Sequence, residues 1–276
     1  MAAAPVRVEH PEDPRIAGFV SIRERDLTGR DGLFVAEGTV VLRMLGQAAA
    51  RGNGFGAEAI LLLENRLAGI ADLLEAFAPS VPVYVASAAV FDAIAGFNMH
   101  RGVLALGRKP AAEVGAGLLD RLPETSLVLA GCGLSNHDNV GSIFRNAAAF
   151  GADAVFLDET SCDPLYRKAI RVSVGSVLTV PFTRGLPAEA MLHGLAEAGF
   201  DIWGLSPRGE VSVSAIPAAR RIALVLGTEG EGLPQGILSS FRTARIPQRP
   251  GLDSLNVATA SGIALYEIAS AMGRIG

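Results

Sequence analysis

Cysteine is almost absent: Cys132 and Cys162 are the only two in 276 residues. Two thiols cannot build the disulfide framework of a small secreted domain. No CxxC pair exists, and the four histidines, His10, His100, His137 and His193, stand at no metal-ligand spacing, so no metal site is expected. Lysine is as scarce, with Lys109 and Lys168 alone. The formal net charge is −4, which argues against broad electrostatic capture of nucleic acid and leaves room only for a local basic patch. No apolar run reaches the ~20 residues of a membrane-spanning helix. The opening stretch, MAAAPVRVEHPEDPR, has no signal-peptide hydrophobic region. These absences together lead us to expect a soluble, cytoplasmic protein.

What is present is a chain that is 50% hydrophobic and 19% charged, enough for a substantial core and one large or two medium domains. Its cations are nearly all arginine, which suits bidentate phosphate recognition better than lysine does. Strand-like and helix-like runs alternate from residue 33 onward, which predicts layered α/β units. The pattern weakens over RKPAAEVGAGLLDRLPE, bracketed by Lys109-Pro110 and Leu122-Pro123. We therefore expect domains at 1–110 and 125–276, joined by a linker at 111–124. In the first domain, Arg15, Arg23, Arg25 and Arg30 fall on or just after an irregular helix predicted over 13–28. They form a candidate local basic patch, unless they simply pair with Glu24, Asp26 and Asp31.

The second domain repeats strand then helix, which indicates a mostly parallel sheet covered on both faces. A basic helix is predicted over 163–172 and a strand over 177–182. In open α/β sheets ligands bind beyond the carboxyl ends of strands, and three loops at such ends carry unusual residues. The first is GCGLSNHDNVGSIFR at 131–145, where Asp138 or Asn139 is expected to cap the next helix. The second is GTEGEGLP at 227–234, whose glycines permit close approach or positive φ; it lacks the Lys-Ser/Thr of a phosphate-binding loop. The third follows Ile246-Pro247, where Ser254 stands at the expected N-cap and, with Asn256, heads a helix running to about Met272. From Ser254 to Met272 only Glu267 is charged. The polar residues mark out no single face, so this helix is expected to be buried nearly all round, in part against a second subunit.

A partial glycine fingerprint, Gly131-x-Gly133 after a strand with Asp158 ending the next, raises dinucleotide binding as a weaker alternative, since Asn136 occupies the third glycine position. Taken in order, the three loops resemble the SpoU (TrmH-like) RNA ribose 2′-O-methyltransferases of the SPOUT superfamily. The matching residues are N-V-G-S-I-F-R-N-A at 139–147, L-G-T-E-G-E-G-L at 226–233, I-P at 246–247, S-L-N-V at 254–257 and L-Y-E at 265–267. F-V-A-E-G at 34–38 and R-G-V-L-A at 101–105 further resemble the family's ribosomal-protein-like substrate-binding domain.

The resemblance implies a parallel-sheet SPOUT domain closed by a deep trefoil knot and preceded by a smaller α/β domain. It also implies an S-adenosylmethionine-dependent homodimer acting on RNA, with ribosomal RNA favoured and transfer RNA open. A knotted dimer that binds RNA without turnover is the other class. By the same resemblance Gly227, Ile246 and Leu255 line the cofactor, and Asn139, Arg145, Glu229, Ser254 and Asn256 occupy the polar active-site positions. Three residues depart from the family pattern in the cofactor loop or just after it: Gln248 replaces the usual Met, Pro250 a glycine and Ala258 a serine.

Overall fold

A computed structural model describes residues 3–19, 32–95, 102–110, 117–249, 251 and 253–276. Arg23, Arg25 and Arg30, Pro250, and residues 111–116 of the expected linker lie outside the described residues. The chain divides into two compact units. One is Met1–Ala112 together with Leu165–Thr179, and the other is Glu113–Pro164 together with Val180–Gly276.

The first unit holds strands β1 (Val6–Val8), β2 (Leu33–Glu37), β3 (Gly56–Leu63), β4 (Val83–Ala86) and β5 (Val103–Arg108). They form a mixed sheet in the order β1-β4-β3-β5-β2. β3 and β5 are apolar through their centres because both faces of the sheet are covered. Helix α1 (Thr39–Ala50) packs on one face. On the other, Leu61 and Leu104 join Ile16, Phe91 and Ile94 in a buried cluster. Those last residues come from a 3₁₀ turn at Pro14–Phe19 and from α3 (Ala88–Ala95), which follows the short α2 (Ala71–Leu74). The helix predicted from residue 13 is thus a 3₁₀ turn as far as Phe19. Arg15 there gives its guanidinium to Asp13, at 2.9 and 2.5 Å.

The segment Leu165–Thr179 contributes α5 (Arg167–Val172) and a 3₁₀ turn at Ser176–Leu178 to this same unit. Glu37, only 6% exposed, accepts a 3.0 Å bond from Arg167 Nε, which compensates a carboxylate that is costly to bury alone. Gly175 has φ 83°, and any side chain there would meet Met44. The strand predicted at 177–182 is therefore displaced. Val177 and Leu178 are fully buried in the 3₁₀ turn, and the strand starts at Phe182.

The second unit carries β6 (Ser126–Gly131), β7 (Ala154–Asp158), β8 (Phe182–Leu186), β9 (Asp201–Leu205), β10 (Val211–Ser212), β11 (Arg221–Leu226) and β12 (Arg242–Arg245). Every pairing is parallel, in the order β10-β12-β9-β11-β6-β7-β8. β6, β7 and all but the first residue of β11 are buried throughout, the signature of strands covered on both faces.

One cover comes from α6 (Ala188–Glu197), whose Met191, Leu192 and Leu195 share a core with Val128, Phe156 and Val225. α7 (Gln235–Ser240) adds Ile237. α4 (His137–Ala149) and α8 (Val257–Ala271) pack on each other, and α8 also packs on β11. Strand order runs outward from β6 on one side and from β11 on the other, so their adjacent carboxyl ends form the switch point where a crevice opens.

Candidate active site

The loop after β6 is held from below. Asp158, 4% exposed, accepts bonds from Gly133 N at 3.0 Å, Ser161 N at 2.8 Å, Ser161 Oγ at 2.6 Å and Thr160 Oγ1 at 2.6 Å. Three of these donors converge on Oδ1 and Thr160 takes Oδ2. Asp158 is therefore a structural organiser of the loop after β6, a role that accounts for it without a dinucleotide ribose.

The helix cap is Asn136, whose Oδ1 takes Asp138 N at 2.9 Å. Neither Asp138 nor Asn139, the expected caps, does so. The helix begins at His137, placing Asn139 inside its first turn, 6% exposed, with its amide turned to the loop after β11.

That loop closes on itself. Thr228 and Gly232 exchange backbone bonds of 3.2 Å each way, and Gly230 and Gly232 take φ of 97° and 75°, values that favour glycine. A side chain on Gly227 would overlap the backbone of Gly232 and Leu233. The glycine is thus required first by the loop's own closure. The turn presents Glu229, and its Oε1 accepts Asn139 Nδ2 at 2.5 Å and Asn256 Nδ2 at 2.9 Å. Asn256 Nδ2 also reaches Asn139 Oδ1 at 3.0 Å. Three residues from three loops close one triangle.

Asn256, not Ser254, caps α8. Its Oδ1 receives Ala258 N at 2.9 Å and Thr259 N at 3.3 Å, so its amide both starts the helix and completes the triangle. Ser254 is exposed two residues upstream and borders the cleft. Arg145 is exposed on α4, outside the triangle. Beside it Asn146, two helical turns from Asn139, donates to Ala258 O at 2.8 Å and Ser261 Oγ at 2.9 Å, tying α4 to α8. Asn146 lies within the quoted 139–147 motif, and its seven-residue spacing from Asn139 was the available signal.

α8 is not buried all round within one chain. Ala258, Ser261, Ala264, Leu265 and Ile268 face inward, whereas Ile263 and Tyr266 are 38% and 53% exposed. A side chain on Gly262 would meet Asn146, so the small residues serve the α4–α8 seam.

A cleft of about 1130 Å³ opens at these strand ends. Gly227, Glu229, Ile246, Ser254, Leu255 and Asn256 line it; Asn139 and Arg145 do not. Cys132 is also on its wall, with burial pushing its thiol up to about 12 and the nearby Asp158 carboxylate adding to the shift, so it is a poor nucleophile at neutral pH.

Residues 126–266 match the model of the SpoU rRNA Methylase family. The chain belongs to this family of RNA methyltransferases. An uncharacterized tRNA/rRNA methyltransferase of Mycobacterium bovis is 40% identical over 272 residues, covering 93% of this chain and 89% of the relative. A 23S rRNA (guanosine-2′-O-)-methyltransferase of Bordetella pertussis is 30% identical over 67% of this chain and 76% of its own length. Among solved structures, an RNA 2′-O ribose methyltransferase superposes with a TM-score of 0.77 at 25% identity, covering 98% of this chain and all of that one. An AdoMet-bound rRNA methyltransferase from Sinorhizobium meliloti gives 0.77 at 24% identity over 96% and 98% of the two chains, a likeness of fold. The parallel α/β fold of the family is thus the fold of this chain. Among the described residues, no helix is long and apolar enough to cross a membrane.

Proposed function

We propose that this protein transfers the methyl group of S-adenosylmethionine to a ribose 2′-hydroxyl of structured RNA in the cytoplasm, ribosomal RNA ahead of transfer RNA. The observation that carries the reading is the Asn139–Glu229–Asn256 triangle, two of whose members border the cleft. The cleft suits the cofactor in chemistry. Leu226, Leu238, Ile246 and Ala260 offer apolar wall to a purine, and polar groups stand at its margins. Gly227, Ile246 and Leu255 would hold it there. When bound, S-adenosylmethionine supplies an electrophilic methyl on a sulfonium.

The protein's share is positioning and charge. The triangle fixes Glu229 against the heads of α4 and α8. Arg145, with a guanidinium that stays protonated, stabilises developing alkoxide charge or clamps the neighbouring phosphate. Ser254, exposed at the rim, relays the hydroxyl proton outward. The exposed Ile263 and Tyr266 of α8 form part of a homodimer interface, and the trefoil knot belongs to the same reading. The first unit selects the RNA; Arg15 is a weak candidate for that contact, because Asp13 already occupies it.

The test is nucleoside-resolved mapping of ribose methylation in RNA from cells with and without the protein. One or a few 2′-O-methyl sites lost with the protein, and restored by wild type but not by Arg145→Ala, are expected. An unchanged map, with S-adenosylmethionine neither bound nor consumed, would leave a non-catalytic RNA-binding dimer.

A further inference from the structure

Among the residues that line the cleft, Arg208 is the only lysine or arginine, and the other charged residues there are the acids Asp158, Glu229, Glu231 and Asp253. Two of those carboxylates are already engaged, Asp158 in its loop and Glu229 in the triangle. Arg208 itself is exposed, and among the described residues its guanidinium has no bonding partner, only its backbone N–H reaching Ser206 Oγ at 3.3 Å.

The turn that carries it is fixed with unusual care. Ser206 N donates to Ala244 O at 2.9 Å, Gly209 N to Ser206 O at 3.0 Å, and Glu210 N to Thr243 Oγ1 at 3.1 Å. Arg245 spends its Nη1 on the carbonyls of Gly209, at 2.6 Å, and Glu210, at 2.8 Å. A side chain on Gly209 would overlap the Ala244 backbone, so the turn sits flush on β12. A free cation on a rigid rim, in a cleft whose other charged residues are acids, is arranged to receive an anion without reordering the backbone.

We propose that Arg208 is the anion-binding side chain of the cleft and takes the carboxylate at the amino-acid end of S-adenosylmethionine. The inference rests on the cofactor reading above. Position selects this anion over an RNA phosphate. Arg208 follows β9, on the side of β11 away from β6, whereas Arg145 and Asn139 stand on the helix after β6. The acceptor nucleotide is thus handled on one flank and Arg208 serves the other. The nucleoside part of the cofactor has no formal charge, and its one carboxylate matches a planar guanidinium bidentately.

Calorimetry with two probes tests this: S-adenosylhomocysteine, which keeps the amino-acid end, and 5′-methylthioadenosine, which lacks it. Arg208→Gln is expected to weaken the first roughly five- to tenfold, as for loss of one partly exposed charge-assisted pair. It should leave the second within about twofold, because a pair that is never formed contributes nothing to its binding. Arg208→Lys should recover part of the loss. Equal weakening of both probes, with Arg208→Lys no better, would mean that the side chain only supports the turn and would overturn the proposal. Unchanged affinity for both probes with weakened RNA binding would overturn it in favour of a phosphate. If wild type binds neither probe, the cofactor reading itself has failed and takes this inference with it.

Discussion

Asn139 Nδ2 lies 2.5 Å from Glu229 Oε1, across 90 residues of sequence, and Asn256 Nδ2 reaches the same oxygen at 2.9 Å. One carboxylate oxygen therefore gathers the heads of two helices. Each donor is an amide, so the cluster holds a single formal charge and nothing in it repels.

That arrangement gives Asn256 two duties, the cap of α8 through Oδ1 and the triangle through Nδ2. Asn256→Ala removes the α8 cap and the triangle together; about 1 kcal/mol of stability should be lost along with activity. Asn256→Asp keeps an oxygen for Ala258 N but sets a second carboxylate against Glu229. A loss of thermal stability that comes from this repulsion and not from the cap, with methylation of substrate RNA reduced at least about tenfold as for a lost charge-assisted bond, is the expected pair of results. Equal activity in wild type and Asn256→Asp would remove the triangle from the mechanism.

Arg145→Ala should lower single-turnover methylation by roughly 10²–10⁴, the range for losing an electrostatic or acid–base group. Affinity for S-adenosylhomocysteine should hold, since Arg145 does not line the cleft. Arg145→Lys tells charge from bidentate geometry, because only a pure charge requirement is rescued by lysine. An undiminished rate in the alanine variant would make Arg145 a surface residue.

The exposed face of α8 gives a clean probe of assembly. Ile263→Arg combined with Tyr266→Arg should yield a folded monomer by light scattering, since both side chains are exposed and the double variant gives up only the edge-on contact of Tyr266 with Phe150 at the end of α4. Ala258→Arg and Gly262→Arg should instead lose folded protein, because both positions face α4. A double variant still dimeric at micromolar concentration would place the interface elsewhere.

A fragment beginning near Pro123 should aggregate. It would retain Leu165, Ile170, Val177 and Leu178, which are buried in the first unit, and leave them in water. Burying a side chain of this size is worth about 1.5–3 kcal/mol, so exposing four together is a large penalty. Replacing them by polar residues should restore solubility. A soluble, monodisperse unmodified fragment would show that the segment has another place to pack.

Asp13 offers a test by pH. The hydrogen bond from Arg15 holds its carboxyl down at about 2, against an ordinary value of 3.8. A depressed folded-state value means that the pair's contribution is present above pH 3.8 and fades as pH falls toward 2. By NMR titration, Arg15→Gln should return the Asp13 midpoint toward the ordinary value. A midpoint that stays low in that variant would assign the shift to other neighbours.

The parallel sheet was legible in the chain because β6, β7 and β11 are apolar almost without interruption, as strands covered on both faces must be. The three loops were legible through their glycines and short polar residues at strand ends, and the order of their motifs carried the resemblance to the family. Other features depend on contacts that no local pattern encodes. Both helix starts differ from the sequence expectation, Asn136 in place of Asp138 or Asn139 and Asn256 in place of Ser254, because several residues near each start can cap it and tertiary packing chooses among them. Val177 and Leu178 read as a strand from their own composition, yet they fill a 3₁₀ turn in the other unit. The clamp of Arg245 on the turn carrying Arg208, and the convergence of Asn139, Glu229 and Asn256, join positions far apart in sequence. Sequence by itself determined which segments are buried strands and which loops hold chemistry, since hydrophobic runs and turn residues act locally. Which side chains meet was decided only by the tertiary structure, because strand order brings distant loop ends to one edge of the sheet.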